Sequence, residues 1–181
     1  MKSGINPDHP LYQLFIEHVH ETFVRTGTHA EKEIEQYLTG LLVGFVHTDG
    51  VWAIRDRRGK PVTTVTDMVA EGDIRLNADS FEREREVHKH IGDFILFWSG
   101  IYPEFLRHLK LQSGRDLLCD YIQQGKESYS IAGSFDHGPY REEAATFMKL
   151  SVGFEEYTER LRVLRETIPL HVAPDGGSRS N

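Results

Sequence analysis

The chain has 181 residues with a formal net charge of −7, 39% hydrophobic and 27% charged residues, a composition that suits one globular domain. The excess of acids argues against a nucleic-acid partner, and no apolar run approaches the roughly 20 residues that cross a bilayer, so no membrane partner is expected. Met1-Lys2-Ser3-Gly4 leads into polar sequence without an apolar leader, and Cys119 is the single cysteine, which together point to a reduced, cytoplasmic protein.

Leu11, Leu14, Phe15, Ile16, Val19 and Phe23 recur at steps of three and four, the spacing of one apolar helical stripe, with Asp8 and Pro10 at its entry and Thr26-Gly27 at its end. Thr28-His29-Ala30-Glu31 has capping-box spacing, and the helix it opens is expected to run to about His47, burying Ile34, Tyr37, Leu38, Leu41, Leu42 and Phe45. Gly40 and Gly44, each costing roughly 1 kcal/mol relative to alanine inside a helix, suggest close approach of another helix. From 50 to 65, β-type residues (Val51, Trp52, Ile54, then Val62 to Val65) flank the turn-like Arg57-Arg58-Gly59-Lys60, which reads as a small β-hairpin.

A short helix is expected over Asp67 to Gly72. Asp79-Ser80-Phe81-Glu82 then opens a long one carrying Val87, Ile91, Phe94, Ile95, Phe97 and Trp98, with Gly100 as its stop. Pro103 suits the first turn of a helix bearing Phe105, Leu106 and Leu109. Ser113-Gly114-Arg115-Asp116 reads as a cap for a helix with Leu117, Leu118, Tyr121, Ile122, Gly125, Tyr129 and Ala132 on one face. A break over Gly133 to Pro139 precedes a final helix from Tyr140 to Thr167, which Pro169 ends. The fold class is therefore all-α: a single-domain bundle of about five main helices over residues 1–170 with a disordered tail at 171–181.

Candidate chemistry is sparse. Glu17 and His20 form one Glu-x-x-His step, and Glu86 and His90 an i to i+4 pair. Together they make a candidate metal set, although di-iron bundles use two Glu-x-x-His steps and two further glutamates. Asp93 is the more informative acid, because Ile91, Phe94, Ile95 and Phe97 surround it and a buried carboxylate needs partners. His90 on its own helix and the hydroxyls of Tyr121, Ser128, Tyr129 and Ser130 are candidates, giving either a polar knot that fixes helix register or the polar end of a ligand pocket. Cys119 lies among Leu117, Leu118 and Ile122 and reads as a small buried hydrophobe. No glycine loop of nucleotide-binding spacing is present, so no cofactor is expected. Arg55, Arg57, Arg58 and Lys60, opposed only by Asp56, form a basic patch for an acidic partner, while seven acids against three arginines between Asp67 and Glu86 hold most of the negative charge.

Three stretches share a likeness: Tyr37-Leu38-Thr39-Gly40-Leu41-Leu42, Ile91-Gly92-Asp93-Phe94-Ile95-Leu96-Phe97-Trp98-Ser99-Gly100 running into Tyr102-Pro103, and Ser128-Tyr129-Ser130-Ile131-Ala132. They resemble a group of uncharacterised bacterial all-helical proteins with a Gly-Asp-x-x-Leu-Phe-x-x-Gly pattern followed by a tyrosine-bearing helix. The resemblance implies one helical domain and no catalytic residue, and the 50–65 segment stands outside it. The expected function is a non-enzymatic domain that binds a protein partner or a small ligand, with a homo-oligomer formed through one apolar helix face as one form it can take. The alternatives are a sensor or enzyme with a pocket at His90, Asp93 and Tyr129, or a metal-binding bundle.

Overall fold

The computed structural model describes residues 8–27, 31–46 and 48–168, with the side chains of 48 and 49 left aside. Its elements are α1 (Pro10–Arg25), α2 (Lys32–Val46), α3 (Thr48–Val51), α4 (Val65–Gly72), α5 (Phe81–Ile101), α6 (Pro103–Ser113), α7 (Tyr121–Gly133), a 3₁₀ turn (Gly138–Tyr140), α8 (Arg141–Val152) and α9 (Phe154–Thr167). The all-α expectation holds among these residues. The proposed Thr28 capping box and the 171–181 tail lie outside them.

α5 organises the bundle. Every residue from Ile91 to Ile101 is buried, so this stretch is covered on all sides, whereas a surface helix has one apolar stripe. α7 and α9 make its most extensive contacts, and α4, α6 and α2 add further cover. Burying Phe94 or Phe97 contributes about 1.5–3 kcal/mol each relative to exposure. Ser80 caps the helix, its Oγ accepting from the Arg83 N–H at 3.2 Å. Gly92 and Gly100 admit the neighbours: a Cβ at Gly92 would lie 2.7 Å from the Tyr129 ring on α7, and one at Gly100 would lie 2.4 Å from Leu161 Cβ on α9. Gly100 is thus a packing position inside the helix and does not end it.

Four expectations are corrected. No strand occurs among the described residues: the segment after α3 is a tight loop closed by one antiparallel bridge, Arg55 with Pro61. Asp56 Oδ1 accepts there from the Arg58 and Lys60 N–H groups, and these backbone bonds hold its carboxyl below the usual range. Ser113-Gly114 closes α6, with Gly114 left-handed at φ 63° as its C-cap, and does not open α7, which Asp120 caps. Leu117 and Leu118 consequently lie outside any helix, and Leu118 is 100% exposed. Asp116 instead folds back onto the start of α4. Its buried carboxylate accepts from the Val65 and Thr66 N–H groups at 3.0 and 2.9 Å, from the Thr66 hydroxyl and from Tyr121. The terminal helix is broken at Gly153 into α8 and α9. Finally, a Cβ at Gly40 or Gly44 would meet nothing within 4 Å, so helix packing is not their role.

The described helices include none long and apolar enough to cross a membrane. Burial lowers the His88 pKa below its ordinary value. The ring packs against Gly72 and places Nδ1 3.2 Å from Ser128 Oγ. A histidine whose folded pKa lies below its unfolded value of about 6.5 supports the fold fully only above that value, and the support is lost as pH falls through it. Urea unfolding is expected to show stability declining as pH falls below about 7, with His90, whose pKa burial also lowers, sharing in it, and His88→Gln to reduce that decline. An undiminished decline in the variant assigns the effect to other groups.

Candidate functional site

Asp93 lies three turns into α5, where the helix is enclosed, and is 5% exposed. Its Oδ1 accepts from the Tyr37 hydroxyl on α2 at 2.5 Å and from the Tyr129 hydroxyl on α7 at 2.7 Å; Oδ2 accepts from Lys89 Nζ, one turn back on α5, at 2.7 Å. Three helices are thereby joined at one carboxylate. Burial and the neighbouring Asp93 charge push both phenol pKa values well up, so Tyr37 and Tyr129 stay protonated and donate. Tyr129 is also wedged between Phe147, in a near-parallel stack at 6.0 Å, and Gly92.

The knot sits at the end of a half-open groove of about 680 Å³, a size suited to a small molecule. Its walls include Tyr12 of α1, Tyr37, Gly40, Gly44 and Phe45 of α2, and Lys89 of α5. Gly40 and Gly44 are one turn apart and put no side chain into the groove, which leaves a flat strip of helix backbone that Gly50 meets at the Gly44 carbonyl. Phe45 stacks on the His90 ring at 6.0 Å, and burial lowers the His90 pKa, which leaves a neutral imidazole whose Nε2 has no hydrogen-bond partner. Glu143 closes another side and pairs with the buried Arg85, whose guanidinium lies 4.2 Å over Tyr140. Lys89 is 35% exposed, and only one of its three N–H donors is committed to Asp93.

The structure therefore brings together some of the residues read from sequence. Asp93, Tyr129 and His90 converge, although His90 does not bond Asp93. Tyr121 bonds Asp116, and Ser128 bonds His88 and Gln124, so neither reaches the Asp93 knot. Tyr37 and Lys89 are the partners the sequence reading missed. The Lys89 to Asp93 spacing of i to i+4 was legible; the Tyr37 contact, 56 residues away, had no local signal.

The metal set is not assembled. Glu17 and Glu86 are exposed, His20 bonds Glu35 of α2 at 3.1 Å, His90 faces Phe45, and no group of three or more potential ligands occurs among the described residues. Arg55, Arg57, Arg58 and Lys60 are exposed on the bridged loop. Arg55 and Arg57 donate to the Gly59 and Asn77 carbonyls, and none of the four joins an ion pair with a described residue. Cys119 is half-buried, and burial pushes its thiol up to about 11, which suits the structural reading better than a nucleophile. No protein-family model, curated protein or solved structure matches the chain.

Proposed function

We propose that this chain is a non-enzymatic ligand-binding domain whose site is the groove between α1, α2 and α5. The observation that carries this reading is the pairing of an open, aromatic-walled groove with a polar end whose geometry is fixed before any ligand arrives. Both Asp93 oxygens are committed to side-chain donors, so the carboxylate is occupied as an anchor and poorly placed to accept a substrate proton. Beside a flat glycine strip the groove offers a ligand donors from Lys89 and Tyr12, with the Glu143 carboxylate on another side already paired with Arg85. A planar ligand with an acceptor oxygen fits that surface. The resemblance to the Gly-Asp-x-x-Leu-Phe-x-x-Gly group is compatible with it, since in this reading the signature builds the anchor and leaves the groove free to vary.

The two glycines separate binding from folding. Gly40→Ala and Gly44→Ala place methyl groups in open space and raise helix propensity, so each is expected to stabilise the chain by about 1 kcal/mol. 1-Anilinonaphthalene-8-sulfonate serves as the probe, its rings on the strip and its sulfonate toward Lys89. One molecule is expected to bind the folded chain. Lys89→Met should weaken it about tenfold, the loss of one charge-assisted hydrogen bond, and Gly40→Leu with Gly44→Leu should abolish it while thermal unfolding shows the fold intact. Probe fluorescence that is indifferent to all of these substitutions would end the proposal.

A further inference from the structure

A second cavity lies away from the Asp93 groove, between the start of α5 and the segment joining α7 to α8. It holds about 620 Å³. Four rings line it, those of Phe81, Phe135, His137 and Tyr140, together with the carboxyl-bearing Glu82 and Glu84. Phe81 is 62% exposed at the first position of α5, where the core gives it no cover. The arginines next to the two acids in sequence turn elsewhere, Arg83 facing Glu71 and Arg85 bonding Glu143; Arg75 acts on Glu84 only at longer range, and neither glutamate joins a close ion pair with a described residue. No lysine or arginine is part of the wall. Arg141, next along the chain from Tyr140, donates its Nε to the Asp136 carbonyl.

From this constellation we infer that the cavity is a binding site for a small organic cation bearing a quaternary ammonium group. Ring faces carry negative quadrupole potential and attract a cation within about 6 Å of the centroid, and carboxylates at the mouth add a charge of the right sign. One face of Tyr140 already carries the Arg85 guanidinium at 4.2 Å, so the faces left for a ligand are those of Phe81, Phe135 and His137 and the other face of Tyr140. The ammonium class follows from the inner wall. Ile131 is apolar, and the exposed Ser134 hydroxyl already donates to the Ile131 carbonyl at 2.6 Å, so apart from the two carboxylates the lining is mostly ring and hydrocarbon surface, which suits a cation with an apolar shell. A fully alkylated nitrogen has no N–H group to leave unpaired. The two acids at the N-terminal turn of α5 also favour the helix dipole, which explains their sign but not the four rings gathered beside them, where Phe135 packs against His137 at 6.4 Å and Phe81 is left exposed.

The test is an NMR titration of the folded chain with choline, with ethanolamine, which has the same skeleton and a primary ammonium, and with 3,3-dimethyl-1-butanol, the neutral isostere. Choline is expected to move the ring signals of Phe81, Phe135 and Tyr140, to bind at least tenfold more tightly than the neutral isostere, and to bind more tightly than ethanolamine. Phe81→Ala and the pair Glu82→Gln with Glu84→Gln, all at exposed or half-exposed positions, should each weaken choline at least fivefold in the folded chain, the glutamine pair with only the small drop in thermal midpoint that loss of two acids at a helix N-terminus brings. Equal binding of choline and 3,3-dimethyl-1-butanol reduces the cavity to an apolar basin and overturns the inference. So do shifts confined to the Asp93 groove, and so does ethanolamine binding as well as choline.

Discussion

Gly92→Ala is expected to destabilise the protein by about 2 kcal/mol or more, although the same change in an open helix stabilises by about 1 kcal/mol. The added methyl would stand 2.7 Å from Cδ1 and Cε1 of Tyr129, well inside contact distance, so either the ring or the helix must shift. The ring is poorly placed to yield. It is fully buried, stacked on Phe147, in contact with Phe154 and tied through its hydroxyl to Asp93. Moving it breaks the hydrogen bond as well as the packing, which places the cost toward the upper end of the range for an overpacked core. Urea unfolding of Gly92→Ala beside Gly40→Ala measures the contrast directly, since the two substitutions are chemically identical and expected to have opposite signs. A Gly92→Ala protein as stable as the parent would mean that α5 and α7 are not held at this separation.

The same residue shows how much of the fold was readable in advance. A glycine followed by an acid inside an apolar run has few explanations other than close approach and a buried polar partner, and both are present. α5 was legible because its cap, its apolar content and its length agree with one another. The start of α7 was not. Ser113-Gly114-Arg115-Asp116 carries residues that suit a helix start, but Gly114 adopts the left-handed conformation that closes α6. Asp116 spends its carboxylate on α4, some fifty residues away in sequence, where no local pattern could point. The break at Gly153 was hidden for the opposite reason: Phe147, Leu150, Phe154 and Leu161 stay buried across it, so apolar spacing carries through an interruption of the backbone. Between 50 and 65 the β-branched residues were real, but only one bridge forms; Ile54, Val62 and Val65 are buried instead as part of the core around α5.

The candidate site divides along the same line. Asp93 and Tyr129 could be found because burial demands a partner and a hydroxyl-bearing helix was available. The groove could not, because it depends on what Gly40 and Gly44 lack and on the placement of α1 and α8 around α2. Spacing also overstated the metal reading: Glu17 with His20 and Glu86 with His90 satisfy a local distance on each helix, whereas coordination needs the two helices to present those faces to one point. They do not, since Glu17 and Glu86 remain on exposed faces.

Asp93→Ala is expected to cost about 3–5 kcal/mol, because it removes the common acceptor of three donors in one step. Tyr129 has no access to water, so its hydroxyl would be left buried and unsatisfied, at about 1–3 kcal/mol. Lys89 would lose its counter-charge, but its ammonium is partly solvated, which places the larger share of the cost on the phenols. Asp93→Asn separates the two contributions. The amide oxygen can still accept from Tyr37 and Tyr129, while its NH2 faces the Lys89 donors, so an intermediate loss is expected, and Lys89→Met in that background should recover part of it by removing the donor clash. Urea unfolding of the four proteins in the Lys89 and Asp93 cycle, together with Asp93→Ala, measures the terms. If Asp93→Asn proves as damaging as Asp93→Ala and Lys89→Met brings no recovery, the negative charge itself holds the helices together. Recovery in the double variant assigns the knot to the hydrogen bonds of Tyr37 and Tyr129, leaving Lys89 as the group free to meet a ligand.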